Sequence, residues 1–229
     1  MRRFGGLHAI VLADGAAPTR ASLDAAWPGW DDEVGLVVAA DGGARHATAL
    51  ELRLDRWVGD GDSIDPTDLK ALAIAGVRID QVAREKDASD TELAVLAAIE
   101  AGAASVTLIG GLGGVRTDHA LVNVALLLHP ALDGVQAQLY DERAARLSLL
   151  TGPGEAELEG HVDDLVTLIP AGVTAVGVTT RELRYPLRDE TLEPGSSRGL
   201  SNVRTAPRAA VSLREGRILV IETPARFGP

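Results

Sequence analysis

The sequence predicts an α/β protein with a doubly wound parallel sheet in its first part and an antiparallel sandwich or barrel in its second. Two observations predict this division. Up to about residue 140, short apolar runs alternate with segments of helical period. From about residue 145 the helical period is lost, and short runs are separated by Gly, Pro and Ser. We therefore expect two domains, residues 1–143 and 144–229.

Six apolar runs of the first part are predicted strands. They are mostly β-branched and continuous rather than alternating, which is typical of strands covered by helices on both faces. In chain order the runs are LHAIVLAD, VGLVVAAD, DRWVGD, GVRIDQVA, ASVTLIGG and VQAQLYD.

Four segments between these runs are predicted helices. Pro66 is expected to begin the second helix, Gly76 follows its end, and Pro130 ends the fourth. The segments are GGARHATALEL, PTDLKALAIAG, SDTELAVLAAIEAG and TDHALVNVALLLHP.

The second part contains eight short runs that are predicted strands. Their boundaries are turn residues rather than helical segments, which favours antiparallel pairing. The runs are ARLSLLT, AELEG, LVTLIP, TAVGVTT, ELRYPL, ETLEPG, RAAVSLREG and RILVIET.

Composition excludes several functional classes. The chain has no cysteine, which excludes disulfides, thiolate chemistry and cysteine-ligated zinc. A net charge of −11 argues against a nucleic-acid partner, whose phosphates require clustered Lys and Arg. No apolar run approaches the roughly 20 residues that cross a membrane, so we expect no membrane partner. The N-terminal apolar stretch is too short for a secretory signal, and a cytoplasmic location is expected.

Polar residues follow the predicted strands of the first part, at the point where each strand ends. Because carboxyl ends of parallel strands share one edge of a sheet, these residues are expected to converge on a ligand site. They are Asp14, then Asp41, then Asp60 and Asp62, then Lys86, Asp87 and Asp90, and finally Arg116 and Asp118.

The stretch WVGDGDSIDPTD is unusually acidic. Asp60 and Asp62 flank one glycine and can both reach a single cation, which would offset the repulsion between them. Asp65 and Asp68 have a structural explanation instead. Asp65 or Ser63 is expected to cap the helix that begins near Pro66.

The stretch EKDASDTE supplies both a helix start and candidate ligands. Ser89 and Glu92 have the spacing of a capping box, and Asp90 would lie favourably beside the helix dipole. Lys86 and Asp87 precede the helix and are not needed to cap it. Lys86 is a candidate phosphate ligand, and Asp87 a candidate metal carboxylate.

Two glycine-containing turns are candidate phosphate contacts. ADGGA lies between a strand and a helix, where its glycines permit either close packing or the approach of a ligand. GGLGGVRTDH places Arg116, whose planar guanidinium suits phosphate, after four glycines. It lacks the G-x-G-x-x-G spacing of a dinucleotide fingerprint, and the scattered histidines make a zinc site improbable.

Five motifs, taken in order, resemble those of the thiamine pyrophosphokinase family over nearly the whole chain. They are ADGGA, GDGDSI, EKDASDTELA, GGLGGVRTDHALVNVALLL, and RYPL with SSRGLSNV. The resemblance implies a Rossmann-like catalytic domain that binds ATP, residues 1–143, and a β-sandwich domain that binds thiamine, residues 144–229. It also implies transfer of pyrophosphate from ATP to thiamine with Mg²⁺, and a homodimer with thiamine at its interface.

Site residues follow from the same resemblance. Metal and phosphate carboxylates match Asp60, Asp62, Asp87 and Asp90, with Mg²⁺ assigned to the first three. Basic phosphate contacts match Lys86 and Arg116, and the nucleotide loop matches Asp41, Gly42 and Gly43. Thiamine contacts match Asp118, Ser201, Asn202 and Tyr185, whose ring would stack on the vitamin.

Two positions depart from the family pattern. Gly61 stands where a bulky apolar residue usually separates the acidic pair, which gives the loop backbone freedom. Val115 is an extra residue before Arg116, and this insertion allows the arginine to shift relative to the phosphates.

Two alternative functions remain open at this stage. One is a pyrophosphokinase for another alcohol, such as a hydroxymethylpterin. The other is a nucleotide or thiamine sensor without catalysis, although every expected aspartate is present.

Overall fold

The computed structural model describes residues 5–225. It divides into two compact units, with the boundary between Glu142 and Arg143. Each unit is described by itself. In the part of the chain that is described, no helix is both long and apolar enough to span a membrane.

The first unit contains a six-stranded parallel sheet, as the strand and helix alternation predicted. Neighbouring strands are hydrogen-bonded in the order β6-β5-β1-β2-β3-β4, and every registered pair among them is parallel. The strands are β1 (Leu7–Leu12), β2 (Val34–Ala40), β3 (Arg56–Gly59), β4 (Arg78–Gln81), β5 (Ala103–Ile109) and β6 (Gln136–Tyr140). All six occupy predicted runs.

Local capping rules position the helices of this unit. Asp65 accepts a hydrogen bond from Thr67 N–H at 2.7 Å, and Ser89 accepts one from Glu92 N–H at 3.1 Å, so both predicted caps are confirmed. The helices are α1 (Arg20–Ala26), α2 (Arg45–Ala49), α3 (Pro66–Ile74), α4 (Asp90–Glu100) and α5 (Thr117–Ala125).

Three helices differ from the prediction. Helix α5 ends at Ala125 rather than at Pro130, and residues 126–128 form a 3₁₀ turn. Helix α1, which Thr19 caps, was not predicted, because its seven residues bury only Leu23 and Ala26 and carry little periodic signal. Helix α2 is shorter than its predicted segment, since residues 41–44 form a 3₁₀ turn instead.

A buried polar network lies within the sheet. His8 is fully buried, and its Nε2 lies 2.9 Å from Thr107 Oγ1. Gln138 Nε2 donates to the same hydroxyl oxygen at 3.0 Å. The imidazole therefore contacts β5 directly and is linked to β6 through the Thr107 hydroxyl.

The second unit consists of antiparallel strands in two groups. The orders are β12-β9-β14-β7 and β11-β10-β13-β8. The strands are β7 (Arg146–Thr151), β8 (Gly154–Glu159), β9 (Leu165–Pro170), β10 (Ala175–Arg181), β11 (Glu190–Leu192), β12 (Asn202–Val203), β13 (Arg208–Leu213) and β14 (Arg217–Thr223).

One predicted strand of this unit is wrong. The run ELRYPL, residues 182–187, forms bends and a single bridge between Leu183 and Arg204. Pro186 has no N–H for a ladder, and Leu183 and Leu187 are buried without strand pairing along the whole run.

Apolar side chains from both strand groups form one hydrophobic cluster, which includes Leu158, Leu168, Val178, Val211 and Ile218. Beside this core lies a buried ion pair. Arg204 donates to Glu222 Oε2 at 2.7 Å, with side chains exposed by 0% and 2%. Arg146 contacts the other oxygen of Glu222 at 2.7 Å. The Glu222 carboxylate thus lies between two guanidinium groups, of which only that of Arg204 is fully buried.

Candidate active site

The loops that follow the parallel strands meet at one edge of the first unit, as the sequence predicted. Two of them bring three acidic side chains together. Asp41 follows β2, while Asp60 and Asp62 follow β3, and one carboxylate oxygen of each lies within 4.8 Å of the others. Oxygen ligands at this spacing suit a hard divalent cation.

Asp41 is the buried member of this group. Only 4% of it is exposed, and its backbone adopts φ of +42°, in the left-handed region that side chains rarely adopt. Ser63 N–H donates to its Oδ2 at 3.1 Å, and Oδ1 is buried with no hydrogen-bond partner among the described residues. An oxygen in that position is available to a cation.

Burial and acidic neighbours change the titration of Asp41. Burial is the largest cause, and the nearby carboxylates of Asp90, Asp62 and Asp60 add to it, although the hydrogen bond from Ser63 acts in the opposite direction. Together they raise the pKa of Asp41 to about 6. Burial and repulsion between carboxylates therefore disfavour the ionised form of Asp41.

Asp60 faces a lysine. Lys86, in the loop after β4, lies 2.8 Å from Asp60 Oδ2 and 3.1 Å from Asp90 Oδ1. Burial lowers the pKa of Lys86, but the contacts with Asp60 and Asp90 outweigh it, and the pKa is raised overall. The ammonium group therefore stays charged beside the acidic group.

Asp62 is more exposed than Asp60 and has different partners. It accepts hydrogen bonds from Ser63 Oγ at 2.9 Å and from Arg84 at 3.0 Å, and these contacts lower its pKa. Gly61, between the two aspartates, has φ of +82°, which glycine adopts without strain. The departure at Gly61 therefore has a conformational explanation.

Asp87 and Asp90 differ in their relation to this group. Asp90 is the first residue of α4 and contacts Lys86. Asp87 is exposed and does not belong to the group of three carboxylates. The set that the structure brings together is Asp41 with Asp60 and Asp62, whereas the sequence predicted Asp87 in the place of Asp41.

The glycines after Asp41 are explained by packing alone. A Cβ on Gly42 would lie 2.4 Å from the Asp14 carboxylate, and one on Gly43 would lie 2.2 Å from the Leu12 carbonyl oxygen. These contacts with β1 and its following residues exclude any side chain. The predicted nucleotide contacts of Gly42 and Gly43 thus stay a prediction.

The glycine-rich loop after β5 has a fixed base. Gly15 N–H donates to Gly110 O at 2.8 Å, and a Cβ on Gly110, which has φ of +73°, would lie 2.3 Å from Ala13 O. At the far end of the loop, Val115 is 99% exposed. The extra residue therefore lies where the loop has no tight packing.

Arg116 and Asp118 pair with each other at the end of this loop. The guanidinium donates to both carboxylate oxygens, at 2.9 and 2.6 Å. This contact raises the pKa of Arg116 and lowers that of Asp118. Both side chains are more than half exposed, so a ligand can reach either of them.

A small cleft adjoins Asp118. Its volume is about 160 Å³, and its lining residues are Ser89, Asp118, His119, Val122 and Asn123. Asn123 is buried and donates to Gly111 O at 2.8 Å, which ties α5 to the glycine-rich loop. Ser89 connects the cleft to the acidic group through the adjacent Asp90 and its contact with Lys86.

The predicted thiamine contacts of the second unit lie close together. Tyr185 is 56% exposed, whereas Asn202 is 7% exposed and hydrogen-bonds to the Tyr185 backbone. Ser201 is exposed, has φ of +53°, and donates its N–H to Thr167 Oγ1 at 3.0 Å. The structure therefore gives these three neighbours distinct environments.

Two further residues of the first unit were not predicted from the sequence. Arg84 pairs with Asp62, and Asn123 lines the cleft. Arg84 lies in the charged stretch REKD. The charges of this stretch indicated a functional loop, but they did not indicate that Arg84 would contact Asp62. Asn123 is the polar residue of an otherwise apolar stretch, ALVNVALLL, and that contrast was the available signal.

An acidic group flanked by Lys86, at the carboxyl edge of a parallel sheet, is typical of enzymes that transfer phosphate-containing groups with a metal ion. Two family models match the chain: the catalytic domain of thiamin pyrophosphokinase over residues 30–139, and its vitamin B1 binding domain over residues 156–218. The chain belongs to the thiamine pyrophosphokinase family.

Individual relatives are similar over most of the chain. Thiamine pyrophosphokinase of Bacillus subtilis strain 168 is 26% identical over 196 residues, 85% of this chain and 90% of that protein. A crystal structure of a family protein from Enterococcus faecalis has a TM-score of 0.78 at 26% identity, and covers 95% of this chain and 99% of its own. One from Geobacillus thermodenitrificans has the same score and identity, with 95% and 97% coverage.

Proposed function

We propose that this protein transfers the pyrophosphoryl group of ATP to the hydroxyl of thiamine, giving thiamine diphosphate and AMP. Membership of the family supports the reaction. The observation that carries the proposal for this chain is the group of Asp41, Asp60 and Asp62, which has Lys86 beside it.

The residues present fit a divalent cation. All three members of the group offer carboxylate oxygens, which Mg²⁺ prefers, and the unpartnered Oδ1 of Asp41 is buried beside them. Asp41, Asp60 and Asp62 would hold Mg²⁺, with Asp87 as a further candidate. Bound there, the ion supplies positive charge that neutralises the phosphate oxygens.

The basic side chains have distinct tasks in this proposal. Lys86 is held by Asp60 and Asp90 and stabilises negative charge on the transferred phosphates. Arg116 follows the glycine-rich loop and is more than half exposed, so its guanidinium is available to contact the phosphates. The bond between the β-phosphorus and the oxygen bridging to the α-phosphate breaks, and AMP leaves. The thiamine oxygen bonds to the β-phosphorus, and its hydroxyl proton is released to water. Positioning and charge provide most of the acceleration.

We assign catalysis to a Rossmann-like domain, residues 1–143, and thiamine binding to a β-sandwich domain, residues 144–229. The strand orders of the two units and the ranges of the two family models support this assignment. Tyr185 offers an exposed ring for stacking, and Asp118 and Ser201 offer polar contacts. The family resemblance further supports a cytoplasmic homodimer with thiamine at its interface, which sedimentation analysis tests.

The direct test is AMP formation from ATP, with thiamine as acceptor, in the presence and absence of Mg²⁺. We expect AMP only when both thiamine and the metal are present. A hydroxymethylpterin acceptor is the matched comparison, and turnover of the pterin but not of thiamine would replace the proposed substrate. Binding of both ATP and thiamine without AMP would contradict catalysis altogether.

A further inference from the structure

Tyr185 lies on an irregular segment, and one side chain makes the hydrogen bonds to both backbone polar groups of this residue. Tyr185 N–H donates to Asn202 Oδ1 at 2.9 Å, and Asn202 Nδ2 donates to Tyr185 O at 2.7 Å. Both backbone hydrogen-bonding groups of Tyr185 are therefore satisfied by one amide. The next residue, Pro186, has no N–H with which to extend a strand ladder.

The amide of Asn202 is almost fully used by these contacts. Its Oδ1 also accepts from Val203 N–H at 2.9 Å, so this oxygen already has two donors. An amide oxygen has two lone pairs, which leaves no acceptor for a ligand. The orientation of the amide is fixed, because a flip would direct its NH₂ group at two N–H groups.

The two residues differ in exposure, so the buried one can hold the backbone and the exposed one can contact a ligand. Asn202 is 7% exposed, whereas Tyr185 is 56% exposed. Neighbouring backbone bonds hold the same segment, from Arg184 N–H to Val203 O at 2.9 Å and from Thr205 N–H to Glu182 O at 3.0 Å. The Asn202 amide extends this attachment to the residue that carries the exposed ring.

We propose that Asn202 is a positioning residue that acts through Tyr185: its side chain fixes the backbone from which the Tyr185 ring contacts thiamine, and it does not itself bind the vitamin. This inference rests on the proposed function, and it replaces the direct thiamine contact expected of Asn202 from the sequence. An aromatic ring held in place before binding loses less conformational freedom when it stacks on a ligand.

A double-mutant cycle tests this dependence, with Asn202→Ala, Tyr185→Ala and the double variant compared with the wild type. We expect each single change to raise the KM for thiamine about tenfold, or 1.4 kcal/mol, while kcat and the KM for ATP change less than about threefold. The double variant should resemble Tyr185→Ala alone, because Asn202 has nothing left to position. Effects on KM that multiply in the double variant would overturn the proposal, as would a Tyr185→Ala variant with unchanged KM.

Two additional measurements separate positioning from folding and from the proposed function. Asn202→Asp keeps both acceptor contacts but sets a carboxylate oxygen against Tyr185 O in place of the donor, so its KM for thiamine should also rise above that of the wild type. Trypsin cleavage after Arg184, measured by mass spectrometry relative to cleavage after the exposed Arg53, should be faster in Asn202→Ala at a temperature where both proteins remain folded. Unchanged cleavage would show that the amide does not hold the segment. This readout needs no thiamine, so a wild type that forms no AMP would refute the proposed function and leave the attachment still measurable.

Discussion

Lys86 Nζ lies 2.8 Å from Asp60 Oδ2 and 3.1 Å from Asp90 Oδ1, so one ammonium group connects the acidic loop after β3 to the start of α4. Replacing it with methionine removes the charge and preserves most of the side-chain volume. We expect Lys86→Met to lower kcat by roughly 10² to 10³, because a charge aimed at the reacting phosphates is lost. Steady-state kinetics measure this, and Lys70→Met, on the exposed face of α3, is the matched control. Equal activity of the two variants would remove Lys86 from the reaction.

Asp62→Asn should abolish measurable turnover and leave the fold intact. The substitution removes one carboxylate from the group of three and keeps the side-chain shape. Asp68→Asn is the control, since Asp68 is exposed in the first turn of α3 and outside that group. AMP release and circular dichroism measure the two effects. An Asp62→Asn protein with near-wild-type turnover would exclude Asp62 from the metal site.

Asp41→Asn should stabilise the metal-free protein above pH 6. The pKa of Asp41 rises from 3.8 to about 6 on folding, so the folded state holds the extra proton and stability falls as pH rises through that interval. An asparagine avoids this penalty, which amounts to roughly 3 kcal/mol at most.

Thermal unfolding of the Asp41→Asn variant at pH 8, without metal, measures this gain. Titration with Mg²⁺ should then raise the melting temperature of the wild type and change that of the variant far less. A variant that is less stable than the wild type, or that gains as much from Mg²⁺, would contradict the assignment of Asp41.

His8 should make the protein less stable in mild acid. Burial lowers the pKa of His8 below 6.5, so the unfolded chain takes up a proton at higher pH than the folded protein does. Stability is therefore full above pH 6.5 and is lost as pH falls through the folded pKa. His8→Gln should weaken this dependence between pH 7 and 5, as measured by urea unfolding. His161→Gln, whose side chain is 59% exposed, should leave the dependence unchanged.

Glu222→Gln should strongly destabilise the second unit. The substitution leaves Arg204, which is fully buried, without its neutralising charge. Removing one partner of a buried ion pair lowers the free energy of unfolding by roughly 3–5 kcal/mol, because the remaining charge is uncompensated. Urea unfolding followed by circular dichroism measures the change. Glu190→Gln, which breaks the exposed pair with Arg198, should cost less than about 1 kcal/mol.

Local rules made most of the first unit predictable. The β-branched runs, the proline that begins α3 and the caps at Asp65 and Ser89 each depend on a few neighbouring residues, and each was found where expected. The parallel sheet alone predicted that Asp60 and Lys86, which follow neighbouring strands, would lie at the same edge. The family motifs added the identity of the reaction, which periodicity cannot supply.

The contacts that were not predicted depend on residues far apart in the chain. Asp41 was expected at the same edge of the sheet but not among the metal carboxylates, and its left-handed backbone has no clear signal in the letters ADGGA. The sequence pattern indicates that Glu222, near the end of a strand, is a surface residue. Its burial depends on a contact with Arg204, 18 positions away. The amide of Asn202 likewise meets Tyr185 across 17 positions, where sequence comparison alone suggested a ligand contact.

The glycine-rich loop after β5 is fixed at its first residue and open near its end. Its start is joined to the loop after β1 by the bond from Gly15 to Gly110, while Val115 extends into solvent. A residue added at such an end changes the reach of the following arginine without altering the strand register behind it. An insertion at this end of the loop is therefore expected to leave the packing at Gly110 unchanged and to alter only the position of Arg116.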